Sequence, residues 1–130
     1  MLTQEFSPNA LLVKAGMQPG KVCDMTYLIN MSRGNKMIIQ KILTVFFKET
    51  SKELTGLSKA IEDGNYPGIS NISHKLKSAF SILGIITLEP VFKEMEYLSS
   101  NSFPPGKIEQ LNQRVNIAFN QARVEMAGNL

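Results

Sequence analysis

The sequence predicts an all-α fold: an antiparallel up-down bundle of four helices with one short additional helix in front. Three observations carry this. Apolar residues recur at spacings of three and four from residue 24 almost to the end of the chain. Capping residues and Gly- or Pro-containing turns divide that pattern into segments. No stretch shows the period-two alternation of a half-buried strand.

The elements follow in order. Residues 1–23 read as an arm leading into the domain at 24–130; Ala10 to Ala15 could form a helical turn, but Gly16, Pro19 and Gly20 stop anything longer. Asp24 is the expected N-cap of a short helix from Met25 to about Ser32, closed by Arg33-Gly34. Its apolar residues Met25, Leu28, Ile29 and Met31 suit either the core or an exposed docking patch. Asn35 then caps the longest helix, to about Glu62, with Ile39, Leu43, Phe46, Thr50, Leu54, Leu57 and Ile61 inward. Gly56 costs that helix about 1 kcal/mol against alanine and could mark a close crossing.

Asp63-Gly64-Asn65 makes a short turn, so the next helix runs antiparallel, with Asn65 as N-cap and Pro67 in the first turn. That helix reaches about Leu83, with Gly84 at its end. Thr87 is the expected cap of a fourth helix, whose inner stripe is Leu88, Phe92, Met95 and Leu98. Ser99 to Gly106 reads as a loop. The last helix, from about Lys107 to Met126, turns Ile108, Leu111, Val115, Ala118, Ala122 and Met126 inward.

Composition excludes several functions. At 130 residues the chain makes one packed core, and its net charge of +3 is spread without the basic stripe of a nucleic-acid binder. A single cysteine, Cys23, rules out an intramolecular disulfide and, with one distant histidine, makes no metal set. No apolar run approaches the roughly 20 residues needed to cross a bilayer, and the N-terminus lacks the features of a signal peptide. A monomer in the cytoplasm, without direct membrane insertion, is the expectation. The seven methionines read most simply as core filler.

The chemistry converges on Ile72 to Gly84, ISHKLKSAFSILG, which holds the one histidine. At about 100° per residue, Ile69, Ile72, Leu76, Ala79, Phe80 and Leu83 share one side. His74 lies opposite, among Ser70, Asn71, Lys77, Ser78 and Ser81. A lone surface histidine usually has no role. Held in water on a rigid helix, one turn from a lysine, this one is placed as a nucleophile. Imidazole, with an ordinary pKa near 6.5, offers a nitrogen lone pair at neutral pH. Lys77 can reach a group carried on His74, and Ser78 and Ser81 keep the surrounding surface low. Neither GxxxxGK[ST] nor a kinase motif set is present, so the chain cannot itself take phosphate from ATP. Nor does a paired carboxylate or nucleophile–base pair near His74 suggest a hydrolase.

This stretch resembles the signature of the histidine-containing phosphotransfer (HPt) domains of bacterial phosphorelays. In that family the phosphorylated histidine is followed two, three and four residues later by Leu, Lys or Arg, and a very small residue, with a glycine about ten residues on. His74, Leu76, Lys77, Ser78 and Gly84 fit that order; Ser78 departs from the usual glycine, which implies slightly tighter access. The succession of helices is also the family's plan, over roughly residues 24 to 126. The resemblance implies a phosphoryl carrier rather than an enzyme. His74 would accept a phosphoryl group from a receiver-domain aspartyl phosphate and pass it to another receiver, with Lys77 stabilising the group. Lys75, Ser78 and Ser81 would form the docking face, with Leu28 and Ile29 as a further patch. The implied partners are a response-regulator receiver domain and a hybrid histidine kinase. No cofactor of its own is implied, the Mg²⁺ being expected on the partner receiver. The alternative is a helical interaction module that docks partners on the histidine face without carrying phosphate.

Overall fold

The structure is a computed structural model and describes residues 22–129; most of the N-terminal arm, including the turn expected at Ala10 to Ala15, lies outside the described residues. Five helices follow in order: α1 (Thr26–Ser32), α2 (Lys36–Glu62), α3 (Tyr66–Ser81), α4 (Glu89–Ser100) and α5 (Pro105–Met126). Each packs on its sequence neighbour and α5 closes against α2, which leaves α3 and α5 on one diagonal of the bundle. No strand occurs among the described residues.

Local chemistry sets most boundaries. The Asn35 side chain accepts the Ile38 N–H at 3.1 Å, and Asn65 accepts that of Gly68 at the same distance. Both satisfy donors that the first turn leaves without a helical partner. Asp24 acts one position earlier than expected, its Oδ1 accepting the Thr26 N–H at 3.0 Å and hydroxyl at 2.6 Å. Those two bonds, the hydroxyl's first, hold the Asp24 carboxyl below its ordinary pKa. Its contribution to folding is therefore present above the ordinary carboxylate range and fades as the pH falls through the lowered value.

Three boundaries depart from expectation. Thr87 caps nothing: it lies inside a 3₁₀ turn (Ile86–Leu88) that leads directly into α4, and Leu88 occupies the cap position without a side-chain bond. Helix α4 continues to Ser100 and α5 begins at Pro105, because proline's preset φ suits a first turn that needs no N–H; the loop shrinks to residues 101–104. Helix α3 ends at Ser81, not Leu83, and unwinds through Gly84 at φ +62°.

The core is joined by five phenylalanines. Phe80 of α3 meets Phe46 of α2 edge-on at 5.6 Å and Phe92 of α4 at 5.3 Å, with Phe119 of α5 at 6.2 Å. Phe47 packs on Phe46 and Phe119. Such pairs contribute about 0.5–1.5 kcal/mol each beyond burial. The Arg123 guanidinium lies 4.9 Å from the Phe119 ring centre and 5.7 Å from that of Phe47. The stripes read from sequence are the buried ones, with Ile39, Ile72, Ala79 and Leu98 only partly covered at the margins. The methionines divide: Met95 and Met126 are core, whereas Met31 and Met37 are exposed and fill nothing.

Two glycines act in opposite ways. At Gly84 the backbone is left-handed, and an added Cβ would collide with the Asp24 carbonyl; next to it, the Asp24 N–H donates to the Leu83 carbonyl at 2.8 Å. Gly56 faces α3, yet an added Cβ would meet Ile72 Cδ1 at 3.7 Å, an ordinary contact. The crossing does not require glycine there. Gly84→Ala should therefore cost about 2 kcal/mol or more, while Gly56→Ala should raise stability by up to about 1 kcal/mol. Urea unfolding of the two variants checks both signs.

Candidate functional site

Helix α3 has the two faces its pattern requires. Ile69, Leu76 and Phe80 are buried, whereas His74, Lys75, Ser78 and Ser81 are exposed. The His74 side chain is 66% accessible. It is not isolated, however, because α4 runs antiparallel beside α3. Tyr66 donates its hydroxyl to the Phe103 carbonyl at 2.8 Å, and the Ser70 and Ser100 hydroxyls lie 3.4 Å apart. One turn further along α3, and one turn back along α4, His74 meets Glu96.

Glu96 is the residue that joins the site together. Its Oε1 lies 3.2 Å from His74 Nδ1, and its Oε2 lies 3.2 Å from Lys77 Nζ. A carboxylate can only accept, so the Nδ1 of a neutral imidazole facing it must carry the proton. Nε2 is then left with its lone pair on the part of the ring turned away from Glu96. Lys77 and Glu96 are only 26% and 24% accessible, so their pairing is less screened than an ordinary surface ion pair. Oε2 is buried and makes no directed hydrogen bond; its attraction to Lys77 is one of charge.

The structure brings together most of the residues singled out from sequence. His74, Ser78 and Ser81 share one outward arc, with Lys75 at its side. Lys77 lies toward α4, drawn to Glu96 rather than standing clear in solvent. The proposed patch on α1 does not hold as a pair. Leu28 is fully buried because the helix turns it onto the core, so its side chain is unavailable for docking; Ile29 remains 47% exposed.

Sequence reasoning missed three features. Glu96 was one: it follows Met95 at the margin of the α4 stripe, on the helix that the short connection lays beside α3, and that position was the signal. Ser73 was the second, fully buried next to His74 with no hydrogen-bond partner for its hydroxyl. The third is an apolar groove of ≈ 370 Å³ between α2 and α3, lined by Ile42, Val45, Ala79 and Ile82 and edged by Lys41 and Glu49. Eight residues at about 100° put Ile82 only about 80° around α3 from His74, so the groove adjoins the histidine face. A smaller cleft of ≈ 70 Å³, which includes Lys77, Ser81 and Ile86, lies on the other side.

Among the described residues no group of three or more His, Cys, Asp or Glu could hold a metal ion, and no helix is long and apolar enough to cross a membrane.

A family model for the Hpt domain matches residues 41–121, a span that includes His74, Lys77 and Glu96. No individual curated protein and no solved structure matches.

The arrangement makes a claim about the proton on the ring. In the wild-type protein at a pH where His74 is neutral, the Nδ1–H tautomer should dominate. Glu96→Ala should shift it toward Nε2–H, the form free imidazoles prefer. Long-range ¹H–¹⁵N correlation spectra distinguish the two, and an unchanged tautomer would mean that Glu96 does not orient the ring.

Proposed function

The chain belongs to the Hpt domain family, whose members carry phosphoryl groups in two-component signalling rather than acting as enzymes, and from that premise we propose that His74 is the carrying residue of a receiver-to-receiver relay. The supporting observation is the exposed imidazole whose Nδ1 is occupied by Glu96 while Nε2 is left for reaction.

The step balances without a base. The Nε2 lone pair attacks the phosphorus of an aspartyl phosphate on the incoming receiver, in line with the bond to the carboxylate oxygen. As the N–P bond forms, that P–O bond breaks and the electron pair leaves with the aspartate carboxylate. Nε2 has no proton to lose. The ring keeps its Nδ1–H and becomes formally cationic, a charge that the Glu96 carboxylate at 3.2 Å offsets. Transfer to a second receiver is the reverse reaction.

Lys77 balances the other charge. A rotation of its side chain away from Glu96 Oε2 carries the ammonium to the phosphoryl oxygens, one turn away. A single electrostatic contact of this kind is worth a few kcal/mol at most. Lys75, Ser78 and Ser81 form the surface over which the receiver arrives, and the α2–α3 groove beside them accepts its apolar side chains. We place the protein in the cytoplasm as a monomer, meeting a response-regulator receiver and a hybrid histidine kinase, with Mg²⁺ brought on the receiver.

Incubation with a phosphorylated receiver tests this reading. Wild type should acquire acid-labile label. His74→Gln should acquire none, with stability within about 0.5 kcal/mol of wild type because the side chain is exposed. Ser78→Gln should fold as well as wild type and transfer more slowly, since the added bulk stands one turn from the imidazole on the approach surface. Label retained by His74→Gln would refute the assignment. A domain that only docks partners would take no label at all.

A further inference from the structure

Lys41, Lys48, Lys52 and Lys59 are scattered in the sequence, at intervals of seven, four and seven, but those intervals bring them into line on α2. At about 100° per residue the four fall within an arc of about 40°. From Lys41 to Lys59 the row runs about 27 Å at 1.5 Å per residue. All four are exposed. The row lies opposite the buried line of Leu43, Thr50 and Leu57, so it is the outermost ridge of the helix.

The ridge has one sign. Over the outward third of α2, from residue 37 to residue 59, the other positions are Met37, Thr44, Val45, Ser51 and Thr55. Acids stand only at its edges. Glu49 meets Lys52 at 3.7 Å from the side of the α2–α3 groove, and Asp63 meets Lys59 at 3.2 Å at the end of the helix. Those four side chains are all more than half exposed, so both pairs are screened and loosely held. Lys41 and Lys48 have no acidic partner among the described residues.

Charge complementarity calls for an anionic partner, and the composition of the ridge says which kind. A polynucleotide reader would carry Arg, Asn or Gln to reach base edges, and none stands on this arc. Instead Met37 and Val45 do, 75% and 59% exposed. Apolar side chains gain nothing against a phosphate backbone, but they gain by entering the boundary between lipid headgroups and acyl chains. Lysine stems suit the same place, lying along that boundary while their ammonium groups stay among the headgroups. His74, for its part, is on the side of α3 that meets α4. A plane laid against the outer face of α2 therefore leaves the imidazole open.

We propose that the outer face of α2 is a membrane-contact surface, on which Lys41, Lys48, Lys52 and Lys59 hold the domain reversibly against acidic phospholipid. Each lysine brought close to such a surface strengthens binding by about fivefold. The proposal goes beyond phosphotransfer and does not rest on it.

Sedimentation of the full chain with vesicles tests it. At about 0.05 M salt the protein should pellet with vesicles of roughly one-third phosphatidylserine in phosphatidylcholine and stay in solution with phosphatidylcholine alone. Raising the salt to about 0.5 M should release it. Lys48→Gln with Lys52→Gln should weaken the binding about tenfold or more. Lys93→Gln with Lys107→Gln removes the same charge away from the ridge and should weaken it less than about twofold. No pelleting with the acidic vesicles would overturn the proposal. So would equal losses in the two double variants, since overall charge and not the ridge would then be responsible. Tighter binding to a random-sequence DNA duplex than to vesicles would assign the ridge to nucleic acid instead. Label transfer to His74 without vesicles should be unchanged in the Lys48→Gln, Lys52→Gln protein; a fall would assign the ridge to an acidic receiver.

Discussion

The packing of Phe80 is the constraint on which the rest depends. Its ring touches phenylalanines from α2 and α4 and lies near one from α5, so α3 cannot rotate about its axis without breaking the centre of the core. Six residues separate Phe80 from His74, about 240° around the helix at 100° per residue. Fixing one ring inward therefore fixes the other outward. The same packing sets α4 beside α3, and with α4 comes Glu96. The orientation of the imidazole is in this sense a consequence of aromatic packing.

A carrier histidine differs from a catalytic one in what it asks of its surroundings. In the role proposed for His74 no proton need be removed, because Nε2 starts with its lone pair and the protonated nitrogen is elsewhere on the ring. What is needed is orientation, access, and compensation for the charges that appear. In that proposal Glu96 would contribute to the first and third, and the low serine surface would give the second. Its three-quarters burial strengthens the electrostatics relative to an exposed carboxylate, while the neighbouring Lys77 keeps the cost of that burial down.

The fold was legible in the sequence because the apolar stripes of α2, α3, α4 and α5 repeat over several turns, and because Asn35 and Asn65 announce their helices with side chains that do cap them. Boundaries were less legible where no side chain decides them: Thr87 has the chemistry of a cap, but the backbone enters α4 through a 3₁₀ turn. His74 and its exposed neighbours could be read from one helix alone. Glu96 could not, since its contact spans 22 residues of chain and depends on how two helices align. Leu28 shows the same limit: within a seven-residue helix four apolar positions do not reveal which one faces the core.

The central claim is that Glu96 directs reaction to one nitrogen of His74. Phosphorylating the uniformly ¹⁵N-labelled protein with a phosphorylated receiver, then reading the one-bond ³¹P–¹⁵N coupling together with the ring ¹H correlations, identifies the bonded nitrogen directly. The phosphoryl group should be found on Nε2. A phosphoryl group on Nδ1 would contradict the account, because that nitrogen is the one Glu96 is held to occupy.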